Sequence, residues 1–112
     1  MRYAVPVTDE MIATHFGHCQ QFAFFDVDEA KKEIVDREII ASPGHEPGLL
    51  PTWLAEQGAS VIMASGMGSR AQGLFRQNHI EVIIGVLGGD PERAVLDYIG
   101  GKLATGDNIC DH

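Results

Sequence analysis

A chain of 112 residues, 45% of them hydrophobic, is long enough for one compact domain with a modest core spanning residues 1–112, and too short for two. Its formal charge of −8 at pH 7 argues against nucleic-acid or anionic-membrane partners, because both call for a continuous basic face, so any anionic ligand must be held locally. No apolar run approaches the roughly 20 residues of a membrane span. Met1-Arg2 leads into strand-like sequence without a signal-peptide core, and a cytoplasmic monomer is expected. In a reducing compartment the widely separated Cys19 and Cys110 are expected as free thiols rather than a disulfide.

In chain order, Arg2 to Val7 (RYAVPV) and Phe22 to Val27 (FAFFDV) read as strands. A turn over Asp28 to Lys32 then leads to Glu33 to Ile40 (EIVDREII), whose β-branched residues predict a third strand in a hairpin with the second. The period then changes. Leu49 to Gln57 (LLPTWLAEQ) has helical spacing, with Pro51 tolerable in the first turn, Gly58 as a stop and Trp53 on the core side. Ser60 to Ala64 (SVIMA) is an apolar run of the buried parallel type, with Met63 in the core. The glycine-containing turn Ser65 to Gly68 and a helix from about Ser69 to Asn78 follow. Glu81 to Val86 repeats the strand signal, and the turn Leu87 to Asp90 opens a third helix with Asp90 as N-cap and Pro91 at its first position, ending at Gly100-Gly101. Residues Lys102 to His112 carry no periodic signal. Three strands followed by alternating helix and strand predict an α/β fold in three layers, a five-stranded mixed sheet with helices on both faces.

If the second strand runs against the other four, the loops leaving those four emerge at one edge of the sheet, where open α/β sheets bind ligands. That edge would collect His15, His18 and Cys19 from the first loop, His45 from the next, and the turn Gly66-Met67-Gly68 with Arg70. Glycines before a helix let backbone N–H groups approach an anion, and Arg70 in the first turn adds a cation, with Arg93 in the matching place after the fifth strand. The run His15-x-x-His18-Cys19 suits soft metals or a metal-sulfide edge, and Cys110-Asp111-His112 offers a second donor set on a tail that spans up to about 36 Å when extended. Met67 is a further soft contact. No phosphate loop, nucleophile elbow or defensible Ser/His/Asp arrangement is present.

The chain also resembles the dinitrogenase iron-molybdenum cofactor biosynthesis family, which includes NifX-like carriers and the C-terminal part of NifB. The resemblance covers nearly the whole chain. It rests on the opening strand leading to His15-Phe16-Gly17, on Phe22 to Asp28, on His45 with Gly48, on Val61 to Ala71 (VIMASGMGSRA), and on Glu81 to Gly85 with Gly101-Lys102-Leu103. It implies a ribonuclease H-like fold, a non-catalytic role in carrying a preformed anionic cluster, and a donor or recipient metalloprotein as partner. It also implies contacts to the cluster by His15, Gly17, His45, Gly66, Met67, Gly68 and Arg70. The orange proteins, a subgroup binding a molybdenum-copper sulfide, are similar in size. Two departures stand out: His18 occupies a place where the family often has arginine, and the asparagine common near Ala41 and Ser42 is missing. Loss of the arginine puts more weight on Arg70. The rival expectations are a simple zinc or copper module using His15, His18 and Cys19 with Cys110 and His112, and a metal-dependent hydrolase on the same fold.

Overall fold

The computed structural model describes residues 1–14, 16, 19–44, 48–103 and 106. Its sheet contains β1 (Arg2–Thr8), β2 (Met11–Ile12), β3 (Gln21–Asp28), β4 (Glu33–Ala41), β5 (Val61–Met63) and β6 (Glu81–Ile83), and its helices are α1 (Leu49–Glu56), α2 (Ser69–Gln77) and α3 (Pro91–Ile99). The strand order is β4-β3-β1-β5-β6, with β2 paired to β1 alone. The neighbours β1 and β3 are antiparallel, as are β3 and β4, whereas β1 pairs in parallel with β5 and β5 with β6.

The central strands are apolar throughout because both of their faces are covered. On one face Ala4, Phe22, Phe24 and Ile62 pack against Leu50 and Leu54 of α1 and Phe75 of α2. Trp53 joins them, its ring centroid 5.6 Å from Phe22 and 6.0 Å from Phe24. On the other face Tyr3, Val5, Phe25, Val61 and Met63 meet Ala94 and Val95 of α3. The expected three layers and all three helices are therefore present. In α3 the Asp90 carboxylate accepts the Glu92 N–H at 3.2 Å and Pro91 opens the first turn, as the sequence predicts.

The number of strands differs from expectation: the described residues form six, not five. The additional strand β2 folds back on β1 through a two-residue turn at Asp9 and Glu10, whose φ values are 53° and 67°. Such mirror-image turns match the twist of a hairpin and usually carry Gly or Asn. Here two acidic residues adopt the left-handed conformation, so the usual signal is missing. The strands β5 and β6 are also shorter than predicted; beyond them separate bonds continue, from Ala64 N–H to Ile83 C=O, from Gly85 N–H to Ser65 C=O and from Val86 N–H to Ala64 C=O.

At the border of the sheet, β4 exposes Val35 and Ile39, and its Arg37 forms an ion pair with Glu92 of α3. Among the described residues no helix is long and apolar enough to cross a membrane.

Candidate functional site at the carboxyl edge

Since β1, β4, β5 and β6 point one way and β3 the other, the loops after Thr8, Ala41, Met63 and Ile83 leave the same edge. The chain leaving β1 reaches β3 on one side, and the chain leaving β5 reaches β6 on the other. Their adjacent ends therefore form the divergence point at which ligands bind in open sheets.

Hydrogen bonds draw the loops together there. The Phe16 N–H donates to Gly66 C=O at 3.4 Å, Gln20 N–H to Val7 C=O at 3.1 Å, and Ser42 N–H to Gln20 C=O at 3.0 Å. The Phe16 ring stands edge-on to Phe75 at 5.4 Å and to Phe22 at 6.4 Å. Phe16, Cys19 and Met67 share one core, the one beneath α1 and α2. The first loop and the β5–α2 turn thus meet on the same side of the sheet.

The N-terminus of α2 has an open, positive end. Its N-cap Gly68 is extended (φ −65°, ψ 153°), supplies no side-chain cap, and no acidic residue occupies the first turn. The first N–H groups of a helix lack intrahelical acceptors and carry its positive partial charge. A Cβ built on Gly68 would meet nothing within 4 Å among the described residues, which leaves the backbone bare of them on that side. Arg70 is exposed in the first turn and has no ion-pair partner among the described residues. The start of α1 at Gly48 is likewise without a side-chain cap or first-turn acid. In contrast, α3 is capped by Asp90 and carries Glu92. Arg93, in the matching place after the fifth strand, is exposed and lies 3.1 Å from Asp97, four residues along the same helix.

Not every expected residue is at the surface. Gly66 is buried, and Met67, 1% exposed, lies in the core below the turn. Cys19 is a buried free thiol. Desolvation pushes its pKa up to about 11, against smaller lowering effects from its own backbone and from Ser42, so the protonated form dominates at neutral pH. His15, Gly17, His18, His45, Cys110 and His112 lie outside the described residues. Among the described residues no three His, Cys, Asp or Glu side chains stand together as a metal-ion site. Further along the edge, Gly106 N–H donates to Gly85 C=O at 2.6 Å, which anchors this point of the C-terminal segment beside the strand ends.

One residue that the sequence reading passed over is Gln72. It is 9% exposed, the one buried polar side chain among the described residues, and its Nε2 donates to Met67 C=O at 3.0 Å. Its signal was a glutamine three positions before the core residue Phe75, where the helical period calls for an apolar side chain.

Comparison with known proteins agrees with this architecture. The uncharacterized protein MJ0580 of Methanocaldococcus jannaschii is 29% identical over 87 residues, covering 73% of this chain and 72% of the relative. The crystal structure of PH0822 superposes with a TM-score of 0.86 at 31% identity, over 94% of each chain. The apo form of the orange protein from Desulfovibrio gigas shares the fold with a TM-score of 0.72 at 21% identity, over 96% of this chain and 93% of that one. The family model described as dinitrogenase iron-molybdenum cofactor matches residues 1–101, and the chain belongs to that family.

Proposed function

We propose that the carboxyl edge of the sheet holds an anionic molybdenum-containing metal-sulfur cluster, either a molybdenum-copper sulfide or a relative of the iron-molybdenum cofactor. The protein stores or carries this cargo without chemical turnover. The observation that carries the reading is the open N-terminus of α2 at the divergence point, with Gly68 bare and Arg70 unpaired among the described residues. A bulky anion with diffuse charge suits such a surface, because several N–H donors and one guanidinium share the charge without a covalent ligand. In a chain of net charge −8, this local concentration of positive ends offsets the general repulsion.

In this reading His15, Gly17, His18 and His45 line the cradle from the neighbouring loops, and the backbone bond from Phe16 to Gly66 keeps the first loop beside the turn. Cys19 enters only if a metal displaces its proton, since metal ligation requires the thiolate. Cys110 and His112 follow the anchored Gly106, and the four residues to Cys110 span at most about 14 Å. The strand order supports the ribonuclease H-like description of the fold. The mixed molybdenum-copper cargo is what the resemblance to the orange proteins implies, and this chain shares their fold. A cytoplasmic monomer, working as one domain with a donor or recipient metalloprotein, fits the acidic composition.

The test is anaerobic incubation with tetrathiomolybdate and copper(I), followed by desalting, absorption spectroscopy and elemental analysis. A coloured complex of fixed stoichiometry is expected, bound about tenfold more weakly by Arg70→Ala. Absence of retained colour and molybdenum in the wild type overturns the reading.

A further inference from the structure

The buried amide of Gln72 has a role beyond packing. A polar group in a core destabilises it unless it is hydrogen-bonded, and here both ends are occupied. Nε2 donates to Met67 C=O at 3.0 Å, while Oε1 accepts from the Arg76 guanidinium at 3.5 Å. Arginine has donors only, so it selects the amide oxygen and turns the NH2 group towards Met67.

The peptide that joins Met67 to Gly68 is trans, like every described peptide bond in the chain. A trans peptide directs its C=O and N–H in opposite senses. Drawing the Met67 oxygen inward therefore aims the Gly68 N–H outward, away from the core. The Gly68 C=O accepts from Gln72 N–H at 3.1 Å as the first bond of α2, which leaves the N–H groups of Ser69, Arg70 and Ala71 facing out of the helix end. One residue thus governs both sides of Gly68, through its backbone and its side chain.

We propose that Gln72 is a positioning residue for the anion cradle: by holding the Met67 carbonyl inward it presents the Gly68 N–H as a fourth donor beside those of Ser69, Arg70 and Ala71. The inference rests on the cluster-binding reading given above. It concerns one peptide's orientation, and touches no ligand directly.

Gln72→Met keeps the length of the side chain and removes its donors. With tetrathiomolybdate as probe, wild type and Q72M are compared by anaerobic titration and by 15N-resolved amide spectra. Q72M should bind about tenfold more weakly, the cost of one lost bond to a charged acceptor. Its Gly68 amide should lose the ligand-induced shift, while Ser69, Arg70 and Ala71 keep theirs. A purely structural role would weaken all four responses together. Equal affinity with an equal Gly68 shift in Q72M overturns the inference and leaves the cluster reading intact, whereas failure of the wild type to bind overturns that reading itself. Amide hydrogen exchange of the wild type covers the case in which Q72M does not fold. The free protein should exchange Gly68 rapidly and the bound protein slowly; a protected Gly68 amide in the free protein overturns the proposed orientation.

Discussion

The backbone N–H of Phe16 and the carbonyl of Gly66, 3.4 Å apart, join the loop after β2 to the turn after β5 across the point where the sheet's connections diverge. The Phe16 ring below that bond packs edge-on against Phe75 of α2. The same residue therefore anchors a candidate ligand loop and fills a core.

Phe16→Ala is expected to destabilise the fold by about 3 kcal/mol, because a buried phenyl ring leaves both its apolar contacts and a cavity behind. Urea denaturation measures this directly. Phe16→Leu, which refills most of the volume, should recover more than half of the loss, and tetrathiomolybdate affinity should follow the same order.

Gly68→Ala separates binding from stability. The Gly68 backbone lies in an ordinary extended region, and a Cβ there meets no described neighbour within 4 Å. Stability should change by less than about 1 kcal/mol, the usual range for an N-cap replacement. The new methyl group would project where the anion approaches, so affinity for tetrathiomolybdate should fall by about tenfold or more. Unchanged affinity would place the ligand elsewhere on the molecule.

The Cys19 thiol links stability to alkaline pH. Its folded pKa is raised from 9.0 to about 11, chiefly by burial. The unfolded chain thus ionises first, and the contribution of this thiol is complete below pH 9 and is lost as pH rises towards 11. Urea midpoints for the wild type should decline over that interval more steeply than those of Cys19→Ala. In a Cys110→Ser background at neutral pH, iodoacetamide should label Cys19 slowly in the native protein and rapidly in denaturant.

Gly85→Ala tests the anchoring of the C-terminal segment. Gly85 has φ +74°, and a Cβ there would collide with the backbone carbonyl of Gly106. The left-handed conformation alone costs about 1 kcal/mol for a non-glycine residue. In the full chain the loss should exceed that figure, and in a chain ending at Leu103 it should shrink towards it. Thermal unfolding of the four proteins provides the comparison.

Period and punctuation make much of this fold legible in the amino-acid sequence. The apolar runs of β1, β3 and β5 mark strands covered on both faces, and Asp90-Pro91 marks the start of α3 by a cap that the structure contains. The hairpin at Asp9-Glu10 escaped, because acidic residues at positive φ are held by tertiary pairing rather than by their own preference. At the edge, the topology was readable but the exposure of each side chain was not. Met67 and Arg70 sit three residues apart in one short motif, yet one is buried and the other exposed. Spacing has no period in a turn from which such a difference could be read. Gln72 was hidden for the opposite reason: it lies in a clear helix, where a polar residue is usually assigned to the wet face.

Among the described residues no strand pairs with the outer side of the border strand β4, and the aliphatic groups of Val35 and Ile39 are exposed there. Such an edge is a template for chain-to-chain growth, and charges along it are the common deterrent. Glu33, Asp36, Arg37 and Glu38 supply them here. Three of the four are carboxylates, so like charges face one another when two copies bring this border together. Replacing these carboxylates by their amides should let a concentrated sample assemble into fibrillar aggregates through β4.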